Sequence, residues 1–194
     1  MAASSYRETP VTGSVQEEAT EPGSKGRGLS LATQQALKVK MLDYAAKEQL
    51  GAPVRLQGEV VKGFGRGSKE LGVPTANLPV ETLGAELDGL NPGVYYGWAS
   101  VDGEVPCKMV MSIGWNPFYG NKTKTVEPHL LAHFEEDFYG KQLKLVVTGY
   151  LRPEMNFDSL DALIAAIHSD IHAAYVALDE EGGSDDDFFV PSSA

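Results

Sequence analysis

For roughly a hundred residues from Val54 onward, short runs of β-branched and aromatic residues alternate with turn residues, and no helical period interrupts them. A chain with that pattern pairs its runs as strands, and several short strands with close turns best satisfy their edges by closing on themselves. The expected fold is therefore mainly β, a small closed antiparallel barrel. Strands are expected over Val54–Lys62, Gly93–Val101, Glu104–Ile113, Lys124–Leu131 and Gln142–Leu151. Asp102-Gly103 joins the second and third, and suits a type I′ turn, whose two central residues both need φ > 0.

Helical spacing appears only at the two ends. Upstream, Ser30 is a candidate N-cap, and Leu31, Leu37, Met41, Tyr44 and Ala45 recur at helical intervals until Gly51, which predicts a helix over about 31–50. Downstream of Arg152-Pro153, Asp158 is a candidate cap with Asp161 in the first turn. Leu160, Leu163, Ile164, Ile167, Ile171, Ala174, Tyr175 and Leu178 make one apolar stripe, so a C-terminal helix is expected to pack on the barrel. Residues 1–29 lack apolar periodicity and are expected to be disordered. The expected organisation is a disordered segment 1–29, a helix or linker 30–51, one domain 52–178 and a solvated acidic tail 179–194, with Phe188-Phe189-Val190 the one cluster there that could dock.

Charge narrows the function. Of a formal −11, residues 179–187 carry −6 and residues 1–30 carry −1, which leaves −4 for the body. That balance argues against nucleic acid as partner, since affinity for it comes from Lys and Arg on phosphates. Cys107 is the single cysteine, so no intrachain disulfide forms, and its apolar surroundings suggest a buried, inert thiol. No run of 18 apolar residues and no secretory signal is present, so a cytoplasmic protein without a membrane partner is expected, organelle targeting being left open.

Candidate chemistry concentrates between Gly58 and Asn77. Gly63, Gly65 and Gly67 can turn consecutive N–H groups toward an anion, with Lys62, Arg66 and Lys69 adding positive charge. Pro74 then fixes one φ just before Thr75 and Asn77, whose side-chain oxygens suit a hard cation such as Mg²⁺. The spacing matches neither a Walker A loop, because Ser68 stands where the second glycine belongs, nor G-x-G-x-x-G, because Glu70 stands at the third. The plain alternative is a glycine turn followed by a proline turn whose Thr and Asn cap nearby backbone. His168 and His172 have the spacing of metal ligands but lack the Glu of a zinc protease motif. His129 and His133 lack a Ser or Cys partner, so no nucleophilic triad is expected. Glu127 lies on an apolar strand followed by Pro128, which has no N–H for a ladder, as at a sheet edge.

The segments Gly63-Phe-Gly-Arg-Gly-Ser-Lys, Pro74-Thr-Ala-Asn, Gly93-Val-Tyr-Tyr-Gly-Trp, Ser112-Ile-Gly-Trp-Asn-Pro, Val126-Glu-Pro-His, Asp137-Phe-Tyr-Gly and Gly149-Tyr-Leu-Arg-Pro-Glu occur in that order. Together they resemble riboflavin kinase of the eukaryotic type over about residues 52–178. The resemblance implies a Greek-key-like barrel and transfer of phosphate from ATP to riboflavin, giving FMN and ADP. It implies Glu127 as general base, Gly63, Lys69, Thr75 and Tyr139 at the nucleotide, and Thr75 and Asn77 on Mg²⁺, with Zn²⁺ or Mn²⁺ as alternatives. Arg152, Met155, Asn156 and Phe157 would meet the flavin. A lysine expected in this loop is here Met155, and Pro128 is a second local departure; neither removes a catalytic group. The expected protein is a monomer whose product stops at FMN. The competing readings are a flavin-binding barrel without kinase activity, and the kinase part of a larger bifunctional protein.

Overall fold

The computed structural model describes residues 48–63, 72–115 and 124–190. The expected N-terminal helix lies outside these residues except at its end, where Glu48–Leu50 are already strand. Five strands form one sheet: β1 (Glu48–Glu59), β2 (Gly93–Val101), β3 (Cys107–Trp115), β4 (Lys124–Leu130) and β5 (Gln142–Arg152). Their order is β1-β5-β2-β3-β4, and every neighbouring pair is antiparallel. One helix, α1 (Leu160–Glu181), follows.

Side-chain alternation sends two sets of residues to opposite faces of the sheet. Leu56, Tyr95, Met109, Met111, Ile113, Val126, Leu143, Leu145 and Val147 fill the concave core. Val94, Tyr96, Val110 and Leu151 face the other way, against Ala174, Ala177 and Leu178 of α1. β2 is buried along almost its whole length because it has a core face and a helix face, whereas β1, at the edge, is mostly exposed.

The sheet does not close as a ladder, which corrects the expected closed barrel. Its edges, β1 and β4, are linked through the chain that leaves β1 and returns past Pro74. Val61 donates to the Asn77 carbonyl at 2.9 Å, Ala76 to Pro128 at 2.8 Å and Leu78 to Val126 at 3.1 Å. Pro128 explains the limit. The carbonyls of Val126 and Pro128 face this outer edge, so the N–H that Pro128 lacks is one that a further strand would have needed there.

Several boundaries differ from expectation for identifiable reasons. Asp102 and Gly103 both have positive φ, 50° and 78°, and Glu104 donates to Val101 at 2.9 Å, as the turn requires. β3 nevertheless starts at Cys107, because the Ser100 hydroxyl takes the Glu104 carbonyl at 2.6 Å and Pro106 has no N–H to pair. β1 ends at Glu59, since Val60 turns away to Lys141 and Val61 to Asn77. The cap of α1 is Ser159 rather than Asp158, its side chain accepting from Ala162 N at 3.1 Å.

The helix also presents a face rotated from the apolar stripe. Ala162, Ala166, Asp170, Ala174, Ala177 and Leu178 are buried, while Leu160 is exposed. Small residues let the helix axis approach the strands, and the larger aliphatics flank the contact. Lys108 of β3 anchors it, paired with Asp179, donating to the Tyr175 carbonyl at 3.3 Å and standing 4.7 Å from the Tyr175 ring centre. Among the described residues no helix is long and apolar enough to cross a membrane.

The acidic tail is built into the fold as far as Val190, contrary to its expected solvation. Arg55 of β1 grips Asp186 with two hydrogen bonds, 3.0 and 2.7 Å, and this holds the Asp186 carboxyl below the usual carboxylate range. Asp186 in turn caps Phe188 N at 2.9 Å, and Lys144 of β5 donates to the Phe188 carbonyl at 2.8 Å. Phe189 is buried. Phe189→Ala should lower the unfolding free energy by about 3 kcal/mol in urea titration, the cost of deleting a packed aromatic side chain; an unchanged midpoint would show that the tail contributes no core.

Candidate active site

The returning segment 75–78 determines where the candidate side chains lie. The hydrogen bonds from Ala76 to Pro128 and from Leu78 to Val126 are an antiparallel register, and that register sets Asn77 opposite Glu127. Ala76, Leu78 and Val126 point into the core, so alternation turns Thr75, Asn77 and Glu127 together to the other face. Within β3, Ser112 is the direct partner of Glu127 and Gly114 of Thr125.

Gly63 comes against this group from the end of the first strand. A Cβ built on Gly63 would fall 2.3 Å from Asn77 Nδ2 and 2.8 Å from its Oδ1, so only glycine leaves the Asn77 amide its place. Lys62, beside it, holds its ammonium 5.7 Å from the centre of the Tyr139 ring. Tyr139 is half exposed, and Gly140, with φ 79°, donates to Val60 at 2.8 Å, which keeps this ring next to the glycine segment. Gly63, Thr75, Asn77, Glu127 and Tyr139 are thus gathered by four short chain segments. Lys69 lies outside the described residues.

His129 is the member of the site that the sequence left without a role. Two residues past Glu127, it shares its face of β4, and its Nδ1 lies 2.6 Å from the Pro74 carbonyl. A carbonyl only accepts, so the ring is the donor, and burial lowers its pKa from 6.5, against the pull of that hydrogen bond. The neutral ring therefore pins Pro74, and with it Thr75, to β4. The signals available were its i+2 spacing from Glu127 and its place at the end of the segment Val126-Glu-Pro-His.

The oxygen donors fit a hard cation in part. Among the described residues no group of three or more His, Cys, Asp and Glu side chains could hold a metal. The hydroxyl of Thr75 and the amide oxygen of Asn77 suit Mg²⁺, which usually keeps few protein ligands and completes its shell with phosphate oxygens and water.

Arg152, Met155, Asn156 and Phe157 form a separate arm. Arg152 is gripped from α1 by Asp170, Nε and Nη2 donating at 2.9 and 2.7 Å, while Nη1 donates to Pro153 at 3.1 Å and the guanidinium lies 5.7 Å from the Phe157 ring centre. The arm returns to the first group through Glu154, whose carboxylate occupies the space a Cβ on Gly114 would need, 2.3 Å away, beside Thr125. His168 and His172 are exposed on α1. Cys107 is half-buried, and burial pushes its thiol up to about 11.

The His129 contact makes a pH prediction. Its pKa is lower folded than unfolded, so the unfolded chain binds the proton more readily. Its stabilising contribution is complete above 6.5 and lost as pH falls from there through the lower folded value. Urea midpoints of the parent should therefore drop more steeply below that pH than those of His129→Gln, which keeps an N–H donor and does not titrate; parallel slopes would remove His129 from the account.

The comparisons with known proteins follow the same residues. A family model described as Flavokinase: Riboflavin kinase matches residues 50–178. A riboflavin kinase of Mus musculus is 51% identical over 143 residues, covering 72% of this chain and 92% of its own length. A bifunctional riboflavin kinase/FMN phosphatase of Arabidopsis thaliana is 56% identical over 127 residues, 66% of this chain, which spans only 34% of that protein. Among solved structures, the riboflavin kinase from Trypanosoma brucei aligns with a TM-score of 0.60 at 32% identity, over 74% of this chain and 92% of that one.

Proposed function

The chain belongs to the riboflavin kinase family, and we propose that it transfers the terminal phosphoryl group of ATP to the 5′-hydroxyl of riboflavin, giving FMN and ADP. The observation that carries the mechanism is the register that sets Asn77 opposite Glu127, with Gly63 against the Asn77 amide. One short edge thereby joins a phosphate-facing backbone, oxygen donors for a cation and a carboxylate. A binder that merely holds flavin has no need of that set.

In this reading Gly63, Lys69, Thr75 and Tyr139 hold the nucleotide, and Thr75 and Asn77 hold Mg²⁺. The cation, when bound, neutralises charge on the phosphates. Glu127 accepts the proton of the riboflavin hydroxyl as that oxygen forms its bond to the γ-phosphorus and the bond to the ADP oxygen breaks. Arg152, Met155, Asn156 and Phe157 receive the flavin ring, the guanidinium toward its carbonyls and the apolar side chains against its plane. His129 keeps Thr75 in register by holding Pro74. The proposal further takes the enzyme as monomeric and cytoplasmic, with FMN as its last product; the phosphatase activity in the Arabidopsis protein's name is not carried over.

Incubation with riboflavin, ATP and Mg²⁺, followed by separation of flavins, should yield FMN and no FAD; the absence of FMN would overturn the reading. Mn²⁺ and Zn²⁺ in place of Mg²⁺ identify the preferred cation. Glu127→Gln should lower kcat by about 10²–10⁴ while both KM values stay near the parent's, since it keeps size but loses basicity. Gly63→Ala forces the Asn77 amide from its place and should raise the Mg²⁺ concentration for half-maximal rate several-fold, with the riboflavin KM unmoved; superimposable Mg²⁺ titrations would detach Asn77 from the cation.

A further inference from the structure

The most enclosed charged contact in the described protein is not at the phosphate side. Asp170 lies on the buried face of α1, one turn from Ala166 and one from Ala174. Its side chain is 10% exposed and that of Arg152 is 12%. Burial pushes the Asp170 carboxyl upward, and the two hydrogen bonds from Arg152 oppose that. A carboxylate placed in a small-residue stripe is costly unless its partner is held in good geometry, and such pairs more often fix a conformation than add stability.

The geometry of the fork is what Asp170 supplies. It takes the Nε and Nη2 side of the guanidinium, and Pro153 takes one N–H of Nη1. A guanidinium has five N–H donors in a fixed plane, so one donor remains on each of Nη1 and Nη2, away from the side that Asp170 holds. That plane lies beside the ring of Phe157, and the same arginine ties Pro153 to its own loop. Asp170 thus fixes both the direction of the remaining donors and the start of residues 153–157.

We propose that Asp170 is a positioning residue for riboflavin: it holds Arg152 by one edge so that the other meets the carbonyl oxygens of a planar heteroaromatic ring lying against Phe157. This rests on the riboflavin kinase reading and deepens it, since the sequence assigned the flavin arm to residues 152–157 alone. Asp170 touches no substrate. Its effect passes entirely through the guanidinium, and no nucleotide contact depends on it.

The test is steady-state kinetics with each substrate varied, on the full chain. Asp170→Asn should raise the riboflavin KM at least about tenfold, the scale of a lost charge-assisted hydrogen bond, with kcat within about threefold and the ATP KM unmoved. Asp170→Glu keeps the charge but displaces it by one methylene, and should raise the riboflavin KM about threefold, less than the amide does. In an Arg152→Lys background, Asp170→Asn should add little, because the fork it orients is gone. A riboflavin KM unchanged in a folded Asp170→Asn, equal losses in kcat and both KM values, or full additivity with Arg152→Lys each overturns the proposal. If Asp170→Asn does not fold, Asp170→Glu decides alone, an unchanged riboflavin KM sinking the idea. A parent that makes no FMN refutes the kinase reading instead, so the two failures are distinct.

Discussion

Two backbone carbonyls on one sheet edge organise the candidate active site. Val126 and Pro128 offer their oxygens outward from β4, and Leu78 and Ala76 take them. Without these hydrogen bonds the Pro74–Leu78 segment would have no register, and Asn77 would have no reason to stand opposite Glu127. His129 adds a third tie from the same strand to the same segment. A separate tie, from Val61 to the Asn77 carbonyl, brings Gly63 against the Asn77 amide.

Much of the sheet was legible because its information is local. Alternation located all five strands, and Asp102-Gly103 located the turn, since those signals act over two to four residues. What escaped depends on residues far apart in the chain. The missing donor of Pro128 was legible, but that it faces the edge where closure would occur depends on the pairing of β4 with β3, and the tail's place hinged on Arg55 meeting Asp186, 131 residues away. The rotation of α1 was hidden for a related reason. Periodicity weighs apolarity, so Leu160 outranked Ala162 and Asp170, although closeness of approach and one long-range ion pair decide which face turns inward.

For the site, the sequence named the residues and the structure supplied their company. Glu127, Asn77, Thr75 and Gly63 were legible as motif members, and pairing across the edge brought them to one face. His129 and Glu154 stand at the ends of two of the quoted segments but were given no role, and Asp170 lies outside all of them. Each is recognisable only by what it touches: a proline carbonyl, the bare face of Gly114 and a guanidinium fork. Charge divides the same way. The net acidity is concentrated at one end, yet it is used locally there, where Asp179 and Asp186 bind Lys108 and Arg55 on the sheet.

Among the described residues, the joint between β4 and the chain leaving β1 is the thinnest line in the sheet. A ladder must lose many cooperative hydrogen bonds to part, whereas this seam rests on a few isolated ones. Amide protons of Ala76 and Leu78 should therefore exchange with water through a small local opening, while those at the centre of β2 and β5 should require global unfolding. The face that bears Asn77 and Glu127 runs along this line. Opening there leaves the stable strands intact, and they carry Glu127 back to the same position.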